Sequence, residues 1–587
     1  MKSMNKASGL FRFLILIAPV LDRNTALAQT PAIRLIQPYS ATTTVTNARQ
    51  FVIGSVEKNA VLSINGESAR LYPTGAFVHE LKLKTGTTEV ELKATLPGGR
   101  QSSKTIRYVY EQPPTPKPVS SFDIESIQVL PEGNLVLEAG DRIAFRVKAQ
   151  PGQTVTALGF VPLYERPVTT AEPMAGIYQG SYTLQETDSF SAEKVFARIT
   201  GTGGKSRDKY TGTTLSTTEA LPSDQAQTIG RLAHLEYGLG DDRLGGAKIG
   251  YLDSNVRLNI TGKIGNDYRV ALTKNRSAFI PEEHIRFLPR GSFAPQSLTG
   301  KLVASGDERF DYVRLNLTER LPYQSMQQLN PSAIWVDVFG ATNNTNWITH
   351  LATAKEIRQV DYEQVADGIF RIKISLNHKQ HWGHQVYYEG KTLVVKLRRQ
   401  PPDLALHHLT IAIDAGHGGK NNGAVGATGV YEKELTLLLS LELKKVLEKK
   451  GAKVIMTRTT DSFFDNKQRI LFYRDSLPDL LLSIHLNSSE DPLNVSGTSC
   501  YYRYAGFAKL ADGIHRHLQE LVLKDYGLTG SFNFMLNSPT EYPNALVETL
   551  FLSHPEEELK MLDPGFRHAM ADKIVEGVEH FLRQSKE

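Results

Sequence analysis

The chain has a single cysteine, Cys500, in 587 residues. It therefore has no internal disulfide to staple it. Long apolar runs are missing too. Past the N-terminus no stretch approaches the roughly 20 apolar residues that cross a membrane as a helix. Neither sign of charge prevails: 67 Lys and Arg stand against 62 Asp and Glu, for a net charge of +5. With no basic run interleaved with aromatics, nucleic acid is excluded as a partner. Between residues 30 and 400 there is also no long uninterrupted helical segment.

What is present is an ordinary globular composition, 40% hydrophobic and 22% charged. At this length, with domains of roughly 100–200 residues each, several cores are expected. At the N-terminus Lys2, Lys6 and Arg12 lead into the apolar run Phe13–Leu21, and Ala26-Leu27-Ala28 supplies a small-residue cleavage pattern. Residues 1–28 read as a signal peptide. No cysteine follows it to carry a lipid, so the mature chain is expected to be exported without a transmembrane or lipid anchor. Export without disulfides suits a bacterial periplasm or cell envelope.

Residues 31–112 hold short alternating runs, AVLSIN, AFVHELKL and TEVELKATL among them. They are separated by turn signals such as Asn65-Gly66 and Pro97-Gly98-Gly99, and they read as a β-sandwich. A Pro-rich linker, 113–121, follows. Residues 122–218 repeat the theme as a second β-sandwich, and the polar stretch 219–226 reads as a linker. Short strands return at 227–290 and again at 298–400. From 405 to 587 strand-like and helical runs alternate, which predicts an α/β domain with a mostly parallel sheet. The fold class expected is thus multidomain: several all-β N-terminal modules followed by one C-terminal α/β domain.

Chemistry concentrates in that last domain. The apolar run Leu409–Ile413 ends in Asp414-Ala415-Gly416-His417-Gly418-Gly419, where glycines leave an imidazole uncrowded at a strand's carboxyl end. Glu432 comes 15 residues later at the start of a helical run, and His485 another 53 on, in DLLLSIHLN. Glu548 lies inside the apolar strand ALVETLFL, where a carboxylate is costly without a partner. Each has a bland alternative as a hydrogen-bonded histidine, a helix-terminal charge or a solvent-facing carboxylate. Together, two imidazoles and a carboxylate form a set that zinc accepts with an open position for water, leaving the other carboxylate to take a proton. The spacing is not that of a helix-borne H-E-x-x-H motif and does not by itself name the metal. His515 and His517 cannot share a helix face. His407 and His408 precede the first strand at the opposite sheet edge. Cys500 sits in a strand rather than at a helix N-terminus that would activate it. The run GHGGKN lacks the spacing of a phosphate loop.

Four motifs, D-A-G-H-G-G at 414–419, E-K-x-x-x-L from Glu432, S-I-H-x-N at 483–487 and L-V-E-x-x-F-L-S at 546–553, make 409–580 resemble the zinc-dependent N-acetylmuramoyl-L-alanine amidases of the Amidase_3 type. The resemblance implies Zn²⁺ on His417, Glu432 and His485, with Glu548 as the catalytic carboxylate. The substrate implied is peptidoglycan, cut between N-acetylmuramic acid and the L-alanine of the stem peptide. Arg458 and Asp461, in MTRTTD, are expected to be structural. Asn537 stands where many relatives carry an arginine, and Ser553-His554 replaces a usual Ser-Asn, with His554 expected to be structural. The connection after His485 leaves no room for the self-blocking helix some relatives insert. Upstream, LPYQ…PSAIWVDVFG…GIFRIKISL in 298–400 resembles AMIN-type β modules, and 227–290, with Gly250-Tyr251-Leu252 and Tyr268-Arg269-Val270, resembles a bacterial SH3-like barrel. These modules are expected to hold the enzyme on the wall, or on an envelope activator or divisome protein. Two alternatives remain open: a zinc peptidase acting within the stem peptide, and a non-catalytic wall-binding scaffold.

Overall fold

The computed structural model describes residues 32–113, 116–170, 173–240 and 243–586; the signal segment expected at 1–28 lies outside them. Upstream of residue 400 the described elements are strands and short 3-10 turns. Strands Arg34–Gln37, Arg49–Ser55 and Ala76–Lys82 form one small sheet. Thr42–Val45, Gln101–Tyr110, Gly86–Thr95, Val61–Ile64 and Glu67–Ser68 form another. Val52 and Phe77 of the first meet Leu62, Leu92 and Ile106 of the second in one buried cluster. Alternating side chains of both sheets thus point inward, as a period of two residues requires.

Strands between Ile124 and Phe287 join in a single sheet, linked where Leu135 pairs with Ile264 and Val136 with Lys263. Two interiors form on it. One is drawn from Ile124 to Leu215. The other runs from Leu221 to Leu397, so the stretches read as separate modules at 227–290 and 298–400 share one core. Sheets of short strands bury little surface alone and gain by stacking. The polar stretch 219–226 joins in as well. Leu221 enters that core, and Gln225 opens the strand Gln225–Thr228 with its side-chain amide bonded to Asn259 at 2.9 Å. Composition does not reveal such hydrogen bonds, which are what make a buried polar segment tolerable.

The C-terminal domain holds a six-stranded sheet in the order Lys453–Met456, Thr410–Ala415, Leu480–Asn487, Asn544–Phe551, Thr498–Tyr501, Asp525–Thr529. The first four run parallel; Thr498–Tyr501 is antiparallel to Asn544–Phe551. Helices α1 (Glu432–Lys449), α3 (Ala508–Gln519) and α5 (Pro564–Gln584) cover one face, where Ile411, Ile413, Leu480 and Leu482 point. Helix α2 (Asn466–Ser476) covers the other, packing Ile470 and Tyr473 on Ala412 and Leu481. Burial on both faces explains why these strands read as unbroken apolar runs. Helix α4 (Pro555–Leu562) follows the strand that carries Glu548. No helix among the described residues is long and apolar enough to cross a membrane.

The β-rich part docks on this domain through several contacts. Leu232 enters the α2-side cluster with Tyr473 and Tyr542, Arg474 Nη1 donates to Arg231 O at 3.2 Å, and the His384 amide donates to Thr540 O at 2.7 Å. On the other side Tyr72 and Ala76 of the N-terminal sandwich pack on Ala427. Arg49 there reaches Asp491 at 2.7 Å and Arg70 reaches Glu556 at 2.6 Å.

Candidate metal centre

The site forms where the carboxyl ends of two neighbouring parallel strands meet the N-terminus of α1, the edge at which open α/β sheets bind ligands. Strand Thr410–Ala415 delivers His417 two residues past its end. That residue adopts φ +61°, followed by Gly418 at +126° and Gly419 at +53°. A non-glycine residue held left-handed in a tight turn is strain of the kind functional sites store. Strand Leu480–Asn487 carries His485, and α1 opens with Glu432.

These three side chains converge. His417 Nε2 lies 2.9 Å and His485 Nδ1 3.1 Å from the same Glu432 Oε1. Glu432 is fixed from behind by the Leu486 amide on Oε1 at 3.0 Å and the Ala424 amide on Oε2 at 2.9 Å. Burial pushes its carboxyl up, but the two histidines outweigh that and hold it well below the usual carboxylate range. For His485 burial pulls the imidazole down, and Glu432 more than restores it, leaving it raised. Asn421 Oδ1 lies 3.0 Å from His417 Nδ1 and sets that ring's orientation. Two glycines make room. A Cβ on Gly416 would fall 2.5 Å from His485 Cε1, and one on Gly423 would fall 2.4 Å from Glu432 Oε2.

Buried polar groups hold the turn itself. Asp414 accepts from Arg469 Nη1 at 2.7 Å and Ser483 Oγ at 3.1 Å. Arg469 also donates to Ala415 O at 2.8 Å and to His417 O. Arg458 donates to Ala415 O at 3.0 Å, Gly416 O at 2.7 Å and Lys433 O at 2.9 Å. Asp461 accepts from the Gly419 amide at 2.7 Å and Lys433 Nζ at 2.9 Å. Arg458 and Asp461 thus brace the loop rather than face the site. Sequence reasoning overlooked Asp414, Arg469 and Asn421 in this role. The signal for Asp414 was a lone carboxylate at the end of an apolar strand.

Glu548 stands beside His485, the two being register partners across the parallel pair of Leu480–Asn487 and Asn544–Phe551. Its Oε2 is buried with no hydrogen-bond partner among the described residues. Burial pushes its carboxyl up to about 7; the charge of Glu432 adds to this, while His485, His417 and Arg243 oppose it.

The ligand atoms of His417, Glu432 and His485 all lie within 4.8 Å of one another. Tetrahedral zinc ligands at about 2.0–2.2 Å from the ion stand about 3.4 Å apart, a few tenths more than the 2.9 and 3.1 Å contacts here. The N, N, O donor set and an orphaned carboxylate oxygen nearby therefore fit a zinc ion with one open position. The other candidates lie elsewhere. His407 and His408 cluster with Asp403 on an exposed turn. His515 pairs with Asp525 at 3.1 Å, and His517 Nδ1 lies 2.8 Å from Gly513 O. Cys500 is buried, and that burial pushes its thiol up, away from a thiolate. Asn537 is buried, its Nδ2 donating to Asn544 Oδ1 at 3.3 Å. His554 occupies the N-cap position of α4, with no capping hydrogen bond from its side chain.

Residues 411–580 match the family described as N-acetylmuramoyl-L-alanine amidase. Over 180 residues the chain is 32% identical to the Bacillus subtilis protein YqiI, described as uncharacterized, covering 30% of this chain and 85% of that one. It is 33% identical over 175 residues to the probable cell wall amidase LytH of Staphylococcus aureus, covering 30% of this chain and 58% of LytH. A solved structure, the N-acetylmuramoyl-L-alanine amidase from Clostridium difficile 630, shares 31% identity over 30% of this chain and 97% of its own, with a TM-score of 0.29.

Proposed function

Through residues 411–580 the chain belongs to the N-acetylmuramoyl-L-alanine amidase family, and from that premise we propose that it is a zinc-dependent peptidoglycan hydrolase. It cuts the amide between the lactyl group of N-acetylmuramic acid and the L-alanine of the stem peptide. The observation that carries this reading is the convergence of His417, Glu432 and His485 within 4.8 Å, beside the unpartnered Oε2 of Glu548.

A zinc ion held by His417, Glu432 and His485 would acidify water and polarise the scissile carbonyl. Glu548 takes the proton of the attacking water and hands it to the leaving amine of L-alanine. Burial that raises the Glu548 carboxyl favours its holding a proton between the two halves of that exchange. Glu432 keeps its charge because both imidazoles lie against it, so the proton goes to Glu548 and not to the ligand set. Asn421 and the backbone amides of Ala424 and Leu486 keep the three ligands aimed at one point.

The site of action is outside the cytoplasm, in the periplasm or cell envelope. The β-rich region upstream holds the enzyme on the wall or on an envelope partner. Glu548→Ala is expected to lower release of free stem peptide from sacculi by about 10²–10⁴-fold while zinc content stays stoichiometric. Full activity in that variant rejects the mechanism. New amino termini inside the stem peptide, rather than on L-alanine, would favour a peptidase.

A further inference from the structure

A row of aromatic rings flanks the metal centre. Phe534 sets its ring edge-on to the ligand His485, with centroids 6.0 Å apart. Phe532 comes next, its plane tilted 29° from that of Phe534 and its centroid 6.2 Å away. Atoms in face-to-face contact would stand about 3.5–4 Å apart, so neither phenylalanine covers the other's face. Tyr501 follows, its centroid 4.6 Å from that of Phe532. This far end of the row turns back toward the catalytic carboxylate. Ser499 is the register partner of Glu548 across the antiparallel pair, and Ser499 Oγ donates to Tyr501 Oη at 3.3 Å. Alternate residues of a strand share a face, so Tyr501 and Ser499 stand on the side of the sheet that carries Glu548.

The segment that bears the two phenylalanines is held in place. Gly530 packs so closely on Tyr502 that a Cβ would lie 2.7 Å from its ring, and Ser531 is left-handed at φ +55°. The Phe532 amide donates to Tyr502 O at 3.0 Å. Asn533, between the two rings, accepts from Arg503 Nη1 at 2.5 Å and donates to Gly246 O of the upstream β region at 2.8 Å. Strain and polar clamps thus fix the backbone, while all three rings of the row stay half-buried. Neither apolar cluster of the catalytic domain includes Phe532. A large ring ordered beside a cleft, yet left out of the core, suits contact with a ligand.

The two halves of the substrate differ at the amide. The peptide side offers one methyl group and then carboxylates. The glycan side offers a pyranose ring with an apolar C–H face. The electron-rich face of an aromatic ring attracts C–H groups and repels anions. None of the three rings is charged, and burial raises the Tyr501 phenol further from ionisation. Resting on the amidase reading above, we infer that Phe534, Phe532 and Tyr501 form the sugar subsite of this cleft and seat the C–H face of the N-acetylmuramic acid ring.

The test uses the full chain on a soluble N-acetylmuramoyl peptide and on the matching D-lactoyl peptide, which keeps the amide and lacks the sugar. The natural chain is expected to show a lower KM for the sugar-bearing compound. Phe532 is the residue to change, since Phe534 touches a metal ligand. Phe532→Ala should raise KM for the sugar-bearing compound by about three- to tenfold, with kcat and zinc content held, and leave KM for the D-lactoyl peptide where it was. Phe532→Trp should restore the low KM. Phe532→Leu should not, because it keeps apolar bulk without an aromatic face. A second readout needs no turnover: with a chelator present, saturating the protein's aromatic protons in an NMR experiment should transfer to the sugar's ring protons, and less so in Phe532→Leu. Equal KM for both compounds in the natural chain, an equal rise for both in Phe532→Ala, or transfer confined to the peptide overturns the inference and leaves the amidase reading standing. If the natural chain cuts neither compound, the amidase reading fails, and the transfer experiment still decides whether the row holds a sugar.

Discussion

At the residue scale the centre depends on close approach. His485 and Glu432 each touch a glycine where no side chain fits, so Gly416→Ala should push the His485 ring off its position. Metal analysis of purified protein is expected to give well under one zinc per chain for this variant, and stoichiometric zinc would show that the ring can yield. Asp414 offers a different test. It is buried against the charged Arg469, which also holds Ala415 and His417 through their carbonyls. Removing one partner of a buried pair costs about 3–5 kcal/mol because it strands the other. Asp414→Asn should therefore lower stability by that order in chemical denaturation; a change under about 1 kcal/mol would mean the pair contributes little. Residue types drew attention to the four candidate side chains, and the motif resemblance assigned their roles; the fold then brings His417, Glu432 and His485 within 4.8 Å of one another. Asn421, Arg469 and Phe534 could not be read that way. Each acts through geometry that appears only when distant segments fold together.

At the element scale, the parallel sheet was legible because Leu480–Asn487 and Asn544–Phe551 are apolar on both faces, which only a doubly covered strand requires. The antiparallel strand Thr498–Tyr501 was not, since TSCYYRY carries no mark of direction. Nor was the shared core of 221–397, because alternation fixes which face of a strand is buried but not which sheet it meets. The junction segment around His381 and His384 makes a pH prediction. Burial holds these imidazoles down at about 4 and about 3, against about 6.5 in an unfolded chain. Above pH 6.5 neither state binds the proton, and their contribution to stability is fully present. Below it the unfolded chain takes protons that the folded chain refuses, so stability drains toward pH 4 by about 1.4 kcal/mol per pH unit for each histidine. Thermal unfolding should fall between pH 7 and pH 5, and His384→Gln should flatten that fall. An identical slope in the variant would assign the loss elsewhere.

At the scale of the whole molecule, the upstream β region is part of the catalytic domain's packing and not a loose appendage. Leu232 completes a cluster with Tyr473, Leu481 and Tyr542, while the surface pairs Arg49–Asp491 and Arg70–Glu556 are solvent-screened and add little. Leu232→Asp should thus lower the melting temperature of the catalytic domain itself, followed by calorimetry; an unmoved transition would mean the two parts unfold independently. The central claim is that one zinc centre, with Glu548 beside it, frees the stem peptide at its L-alanine. The most direct measurement is digestion of purified sacculi by the full chain, with and without a chelator, and identification of the new ends by mass. The account predicts intact peptides beginning at L-alanine, glycan bearing a free lactyl carboxyl, and loss of both products on chelation, restored by zinc. Undiminished release in the chelator, or cuts confined to bonds within the peptide, would contradict it.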